Sequence, residues 1–522
     1  ALRAQGARRL GLITTNSLRQ TLNRRVLEPH LNAPKNPVSL VFAIPDHPWV
    51  DAGDGAAVRI AMTVAAPGRL LTLTGKQQAP AGAEGRTVTL SVAEGRIFAD
   101  LRIGADVAGA QPLRANGGLT SQGVKLHGAG FIVTPDRARA LGLGRVPGLD
   151  LHIRAYRNGR DLMATPRGVM VIDLFGLAEA EVRSRFPAVY QHVRDHVKPE
   201  RDQNNRESYR QNWWIHGEPR KDLRPALAGL PRYIATVETA KHRIFQFLDA
   251  DTLADNMLIA IGLSDAAALS VLSSRVHRTW ALTAGGTLGG GPRYTKTKCL
   301  DPFPFPDLPP ARRARLRDLG EELDTHRKAR QAEHPNLTLT QIYNVLDKLR
   351  AGDTIEGRDR QVYEQGLCGL LHDIHTRIDA AVAEAYGWPA DLPEADILHR
   401  LTALNRARTA EEARGHIRWL RPEYQNPAGT TAQTGGADQA TMQIATGDKT
   451  AKPPFPKALP EQIAAVRAAL AELGTAGADQ IARQFKGTGP ATVQPLLESL
   501  AALGQARTLH NNRFALAGGV AG

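Results

Sequence analysis

The sequence predicts a multidomain chain of mixed class: part of an α/β sheet, then a mixed α+β region, a helical region, and a small unit of three helices and a hairpin. Three observations carry this. Apolar runs at 8–14, 38–44 and 57–65 flank a single helical stretch. Leu367, Leu371, Ile374, Ile378, Ala381 and Ala385 step by four and three, as one face of a helix does. A polar stretch punctuated by Gly and Pro, 426–457, sets the residues from 458 onward apart.

The elements follow in order. RRLGLIT (8–14) reads as a strand, and Ser17 can cap a helix over Leu18 to Leu31 with Leu18, Leu22, Val26 and Leu27 at helical spacing. VSLVFAI (38–44) is a continuous apolar run suited to a buried strand. A polar excursion, PDHPWVDAGDG (45–55), separates it from AVRIAMTVA (57–65). Residues 1–66 thus read as the closing part of an α/β sheet and not a whole one. Residues 67–170 are a β-rich connector, with strands expected at Leu70–Thr74 and Arg86–Val92. Residues 171–310 are mixed and rich in aromatic and basic side chains, and 311–425 are helical. The 426–457 stretch reads as a disordered linker. In 458–522, helices are expected at 460–473, 478–485 and 491–503, followed by a hairpin over 505–516 turning at Asn511–Asn512. That order matches a winged helix-turn-helix. Pro495 is tolerated only in a first turn, so the third helix is expected to begin near Ala491. Two roles stay open for this unit: contact with DNA, or packing without it.

Composition narrows the partners. Lys and Arg number 66 against 52 Asp and Glu, a net charge of +14. Such a field favours nucleic acid or an anionic surface. No apolar run approaches the roughly 20 residues that span a bilayer, so no membrane partner is expected. Two cysteines, Cys299 and Cys368, make neither a disulfide framework nor a Cys-rich zinc site. The default location is the cytoplasm. No metal is expected, because Asp46, His47, Asp51 and Asp54 read as a turn-forming loop.

Several blocks then share one ordered pattern. They are ITTNS (13–17), RQTLNRRVLE (19–28), LVFAIPDHPWVD (40–51), AAVRIAMTVA (56–65), YRQNWWIHGEPR (209–220), LPRYIATVETAKHRIF (230–245), RYTKTKCLDPFPFPD (293–307), LTLTQIYNVLDKLRAG (337–352), AVAEAYGWP (381–389) and ALNRARTAEEARGHIRWLRPEYQ (403–425). The pattern resembles class I S-adenosylmethionine-dependent DNA methyltransferases, specifically γ-type N6-adenine enzymes of restriction–modification systems. The resemblance implies that 1–66 closes a Rossmann-like methyltransferase sheet and that 171–310, with the helical 311–425, reads the DNA target. It also implies S-adenosyl-L-methionine as cofactor and double-stranded DNA as partner. The family's Gly-rich donor loop and its Asn/Asp-Pro-Pro-Tyr/Phe tetrapeptide belong upstream of ITTNS, and neither occurs here. The cofactor-binding residues are therefore unknown, and the chain alone is expected to be inactive. It needs an N-terminal catalytic half, and a restriction subunit is a further candidate partner.

The resemblance also implies site residues. Related enzymes flip the target base out and hold it between aromatic faces. Trp49, with Phe42 second, is the stacking candidate, and Asn16 marks the sheet edge beside the site; Trp49 can also simply cap the sheet. Basic and aromatic residues interleave in the recognition region, where Arg pairs with guanine edges and Lys with phosphates. The DNA-binding candidates are Arg210, Arg220, Arg232, Lys241, Arg243, Arg278, Arg293, Tyr294, Lys296 and Lys298. Trp213 and Trp214 read as core. His372 and His375, lacking acidic or Cys partners, read as solvated surface. Two rival functions remain: a fragment of a fused restriction–modification enzyme, and a non-catalytic specificity subunit or gene remnant.

Overall fold

The computed structural model describes residues 6–19, 21–49, 59–68, 74–78, 90–288, 291–427, 455–456, 459–473, 475–502, 506–509 and 513–516. The chain divides into two compact units, Ala1–Thr434 and Gly435–Gly522. The expected linker lies mostly outside the described residues, as do Asp51, Asp54 and the Asn511–Asn512 turn.

The first unit opens with β1 (Leu10–Thr15), α1 (Thr21–Leu31), β2 (Val38–Pro48) and β3 (Arg59–Pro67). The sheet order is β1-β3-β2. β3 runs antiparallel to both neighbours, so β1 and β2 are parallel and α1 is the crossover between them. α1 packs Leu27 and Leu31, one turn apart, with Leu40, Ala43 and Ala61 of the sheet and Ile97 and Leu101 beyond it. Val26, counted in the apolar stripe, instead faces solvent. The stripe is narrower than its sequence spacing suggests, because one small sheet is all that α1 covers. β4 (Thr74–Gln78) and β5 (Leu90–Glu94) then form a hairpin. Most of Leu70–Thr74 and part of Arg86–Val92 lie outside the described residues.

Two four-stranded sheets follow. β6 (Thr120–Gln122), β10 (Arg232–Val237), β11 (Phe245–Asp249) and β13 (Leu258–Ile261) form the order β11-β10-β13-β6. β7 (Ile132–Val133), β8 (Ile153–Arg157), β9 (Met170–Ile172) and β12 (Leu253–Ala254) form β12-β8-β9-β7. Strands from before residue 170 thus pair with strands from after it, across the boundary that composition suggests. β10 is central, and alternation sorts its side chains. Ile234 joins Phe245, Phe247 and Ile259 on one face, while Tyr233, Ala235 and Val237 join Leu162 and Leu258 on the other. The second sheet packs Val171 and Ile172 against short helices that bring Val182, Val189 and Val193, and against Trp213 in a turn.

The helical part is α2 (Ala266–Ser273), α3 (Arg275–Ala284), α4 (Pro310–Glu333), α5 (Leu339–Ala351), α6 (Gly357–Gln365), α7 (Cys368–Tyr386) and α8 (Glu394–Ala413). A short hairpin, β14 (Gly286–Leu288) with β15 (Gly291–Arg293), follows α3. α2 and α4 cross so closely that a Cβ on Gly320 would stand 2.2 Å from the Ala266 carbonyl oxygen. α4 also secures the edge of β11: Asp324 Oδ1 accepts from the Phe247 N–H at 3.1 Å and Arg327 Nη1 donates to the Phe245 carbonyl at 2.8 Å. On α7, Leu371, Ile374, Ile378, Ala381 and Ala385 are buried as their spacing predicts. Leu367 is not; it precedes the helix with φ of 45° and its side chain is exposed. His375 is a correction. It is buried, with Nε2 2.8 Å from the Tyr343 hydroxyl, because its helical position falls on the apolar stripe beside Ile374 and Ile378.

The proline-rich connector 301–307 has few N–H donors of its own, yet its carbonyls need partners. Asn116 Nδ2 donates to the carbonyls of Leu300, Asp301 and Phe303, and Asn405 Nδ2 donates to that of Pro302. Phe303 is fully buried, so the segment is pinned to the body of the unit.

The second unit contains α9 (Leu459–Leu473), β16 (Thr475–Ala476), α10 (Ala478–Ala482), α11 (Pro490–Ala502), β17 (Ala506–Leu509) and β18 (Arg513–Leu516). Its sheet order is β16-β18-β17, and Val466, Leu470, Ile481, Val493, Leu497 and Phe514 make its core. Pro495 lies in the second turn of α11, not the first; Pro490 occupies the first position, where its missing N–H costs nothing.

Candidate nucleic-acid interface

The strand ends of the first sheet place two candidates together. Because β1 and β2 are parallel, Asn16, just after β1, and Trp49, just after β2, leave the sheet at the same edge. Open α/β sheets carry their ligand sites at the carboxyl ends of strands. Asp46 ties this edge together: its Oδ1 accepts from Asn16 Nδ2 at 3.0 Å and from Arg59 Nε at 2.7 Å. Trp49 is 51% exposed beside it. Phe42 is half-buried within β2.

The basic candidates separate by what already occupies them. Arg243 is buried. It donates to the carbonyls of Val237, Glu238 and Pro292 and to Thr236 Oγ1, and lies 5.1 Å from the Tyr294 ring centre. Tyr294 is 1% exposed, with its hydroxyl 3.1 Å from His277 Nε2 and its ring edge-on to Phe245. Burial pushes the Tyr294 phenol well above its ordinary range. Burial first, then the Arg243 charge, lowers His277 to about 3, so its imidazole is neutral. Arg243 and Tyr294 are therefore corrected from contact candidates to core members: the sheet and the β14–β15 hairpin close over them. Arg232 forks onto Glu321 of α4, with Nη1 to Oε2 at 2.8 Å, and stacks 3.8 Å from the Phe247 ring centre. Its placement is that of a clamp between sheet and helix. Arg293 spans 2.6 Å to the Glu238 carboxylate.

The other candidates lie in different settings. Arg210 Nη1 donates to the Asn204 carbonyl on an exposed helix, Glu207–Gln211. Arg220 has φ of 53° and pairs with Glu218 at 2.8 Å while donating Nε to the Gly123 carbonyl. Lys296 stands 3.9 Å from Asp301, whose carboxyl burial raises to about 6. Lys298 is half-buried and lines a cavity with Leu31, Leu40 and Phe98. Lys241, Arg243 and Arg278 converge on another cavity with Arg275 and Arg350. Arg350 was missed in the sequence. Arg350 lies on α5, over 70 residues beyond Arg278, and its contribution depends on helix packing that no local pattern encodes.

Buried charge elsewhere is structural. Asp173 accepts from Arg224 Nη1 at 2.6 Å and sits 3.8 Å from His216 Nδ1. Despite burial, the Arg224 guanidinium bonded to it holds its carboxyl below the ordinary range. Fully buried Arg201 donates to the carbonyls of Leu126 and Ile215. Trp213 is buried, and Trp214 Nε1 donates to the Leu177 carbonyl at 2.9 Å. Among the described residues no cluster of three His, Cys, Asp or Glu side chains is placed to hold a metal, and no helix is long and apolar enough to cross a membrane.

Two four-stranded sheets that share strands from both sides of residue 170 thus lie in one unit with a small antiparallel sheet. Residues 151–307 match the family model of the MmeI target recognition domain. The fold is similar to that of the Type IIL restriction-modification enzyme MmeI, solved in complex with DNA, with 17% identity and a TM-score of 0.60 over 78% of this chain and 51% of that one. At that identity the likeness establishes the fold. DNA methyltransferase A of Bacillus subtilis (strain 168) is 30% identical over 121 residues, 22% of this chain and 13% of that protein. The chain spans about half the length of the solved enzyme it matches and a smaller part of the curated relative.

Proposed function

We propose that this chain is the DNA-recognising part of a site-specific DNA adenine-N6 methyltransferase of restriction–modification type. The observation that carries the reading is the match of residues 151–307 to the MmeI target recognition domain. The fold's likeness to an enzyme solved on DNA supports it, as does the net charge of +14. Double-stranded DNA is then the partner and the cytoplasm the setting. Residues 1–66 close the catalytic sheet, 67–170 connect, 171–310 and 311–425 read the target, and 458–522 forms a winged-helix module.

Asn16 and Trp49 flank the flipped base in this reading, with Trp49 offering its exposed ring as the stacking face. Their common position at the carboxyl edge of two parallel strands supports it. S-adenosylmethionine would supply the methyl group, but the residues present do not form a donor site, since the sequence has neither the Gly-rich loop nor the catalytic tetrapeptide. A second catalytic part is accordingly required. The outer edge of β1 suits such a partner: Leu10, Leu12 and Ile13 are exposed, and among the described residues β1 pairs with β3 alone. For the winged-helix module, packing is favoured over groove reading, because α11 carries Glu498 and no Lys or Arg.

The test is selection from a mixed pool of duplex DNA at two salt concentrations, with radiolabelled donor present. Enrichment of one motif without label transfer is expected. Absence of binding at low salt sinks the DNA reading. Label transfer by this chain alone sinks the claim that catalysis needs a second part. A fused nuclease or a purely non-catalytic specificity role is distinguished by assaying the assembled protein for cleavage and methylation of the enriched motif.

A further inference from the structure

A cavity of about 250 Å³ opens between α3, α5, α7 and the turn after β10. Lys241, Arg243, Arg275, Arg278 and Arg350 line it, against two carboxylates, Asp347 and Glu394. A third, Asp379, accepts from the Arg275 backbone N–H at 2.6 Å. Several of these cations are already engaged: Arg243 on backbone carbonyls, Arg275 on the Leu392 carbonyl at 2.8 Å, and Lys241 on Asn344 Oδ1 at 2.7 Å. Arg350 reaches Asp347 only at 3.8 Å.

Two groups are left over. The Arg278 guanidinium has no hydrogen bond or ion pair among the described residues, although it is half-buried. Ser273 Oγ, on the same wall, is buried without a partner. A half-buried cation beside other cations is costly unless an anion compensates, and an orphaned hydroxyl adds to that cost. Burial and then the Arg278 charge pull Arg350 below its ordinary range, which reports the same crowding.

We propose that this cavity is a phosphate site, in which Arg278 and Arg350 grip one phosphate group and Ser273 donates its hydroxyl. Guanidinium groups suit phosphate because their paired N–H donors match its oxygens. The volume lies below the roughly 300–1,000 Å³ of sites for drug-sized ligands, so it takes a phosphate group and not a whole nucleotide. A backbone phosphate of duplex DNA and a free phosphate share this chemistry. Only the first source rests on the DNA-binding reading.

The full chain is titrated with inorganic phosphate and pyrophosphate, against chloride at equal ionic strength, by calorimetry and thermal shift. It is titrated separately with a duplex carrying the enriched motif. Arg278→Gln removes no internal bond and is expected to melt no lower than the parent without ligand; Arg350→Gln is the second variant. The expected result is phosphate binding that weakens at least about tenfold in Arg278→Gln. If the occupant is a DNA phosphate, the slope of log affinity against log salt also flattens by about 0.9 in that variant. Phosphate binding lost in the variant with an unchanged duplex slope assigns the site to free phosphate. A flattened slope without free-phosphate binding assigns it to DNA alone. Binding of phosphate equally by parent and both variants, or no response to phosphate together with an unchanged duplex slope, overturns the proposal. Failure of the parent to bind any duplex sinks the DNA reading but leaves the phosphate titration decisive.

Discussion

Replacing Tyr294 tests the most consequential reassignment made by the structure. The sequence pattern RYTKTK puts Tyr294 among groove-contact candidates, whereas the fold encloses it between Phe245, His277 and Arg243. Tyr294→Ala removes a fully buried aromatic ring, a change that costs about 3–5 kcal/mol in well-packed cores. Its edge-on contact with Phe245 adds roughly 0.5–1.5 kcal/mol beyond area burial. Tyr294→Phe keeps the ring and loses only the hydroxyl bonded to His277 Nε2, leaving a buried polar atom unsatisfied at about 1–3 kcal/mol. The expected order of stability is parent, Phe, Ala. All six tryptophans lie before residue 435, so tryptophan fluorescence during urea denaturation reports on the first unit alone. Duplex affinity, measured where each variant is folded, should match the parent for Tyr294→Phe. A Tyr294→Ala chain with parental urea midpoint but lost duplex affinity would refute the core placement.

Gly320→Ala forces a Cβ against the Ala266 carbonyl and should destabilise the first unit by about 1–3 kcal/mol in the same fluorescence assay, through separation of α2 and α4; a parental midpoint would show that the helices yield freely. Burial keeps His277, His216 and His375 neutral in the fold, while the unfolded chain protonates them near pH 6.5. The unfolded state therefore binds more protons, and stability falls as pH drops below 6.5, by up to roughly 1.4 kcal/mol per pH unit for each group. Asp301 and Asp379, raised by burial, act in the opposite sense but are fewer, so the urea midpoint should be lower at about pH 5.5 than at pH 7.5. A higher midpoint on acidification contradicts the neutral-histidine assignment. Trp49→Ala, at an exposed position, should leave stability within about 0.5 kcal/mol of the parent. On the proposed reading, Trp49→Ala in the assembled protein should lower the fluorescence gain of 2-aminopurine placed at the target base, with Trp49→Phe retaining most of it; equal gains in all three chains would remove Trp49 from the site.

The sequence by itself determined the elements whose periodicity is strong and whose neighbours are near. The α7 stripe from Leu371 to Ala385, the three strands of the first sheet, and the helix–helix–helix–hairpin order after 458 could be read because a strand or helix buries one face in a local rhythm. It also determined which residue types were available for recognition, since charge and aromatic content need no fold to be counted. Only the tertiary structure decided what those residues do. Arg232, Arg243 and Tyr294 have the composition of a DNA-contact surface, yet distant groups claim them: Glu321 on α4, the Pro292 carbonyl of the β14–β15 hairpin, and His277 on α3. The same long-range closure turned His375 inward, exposed Val26 and Leu367, and brought Arg350 beside Arg278. The physical reason is that burial and pairing depend on which elements meet in space, whereas local spacing records only which faces an element can offer.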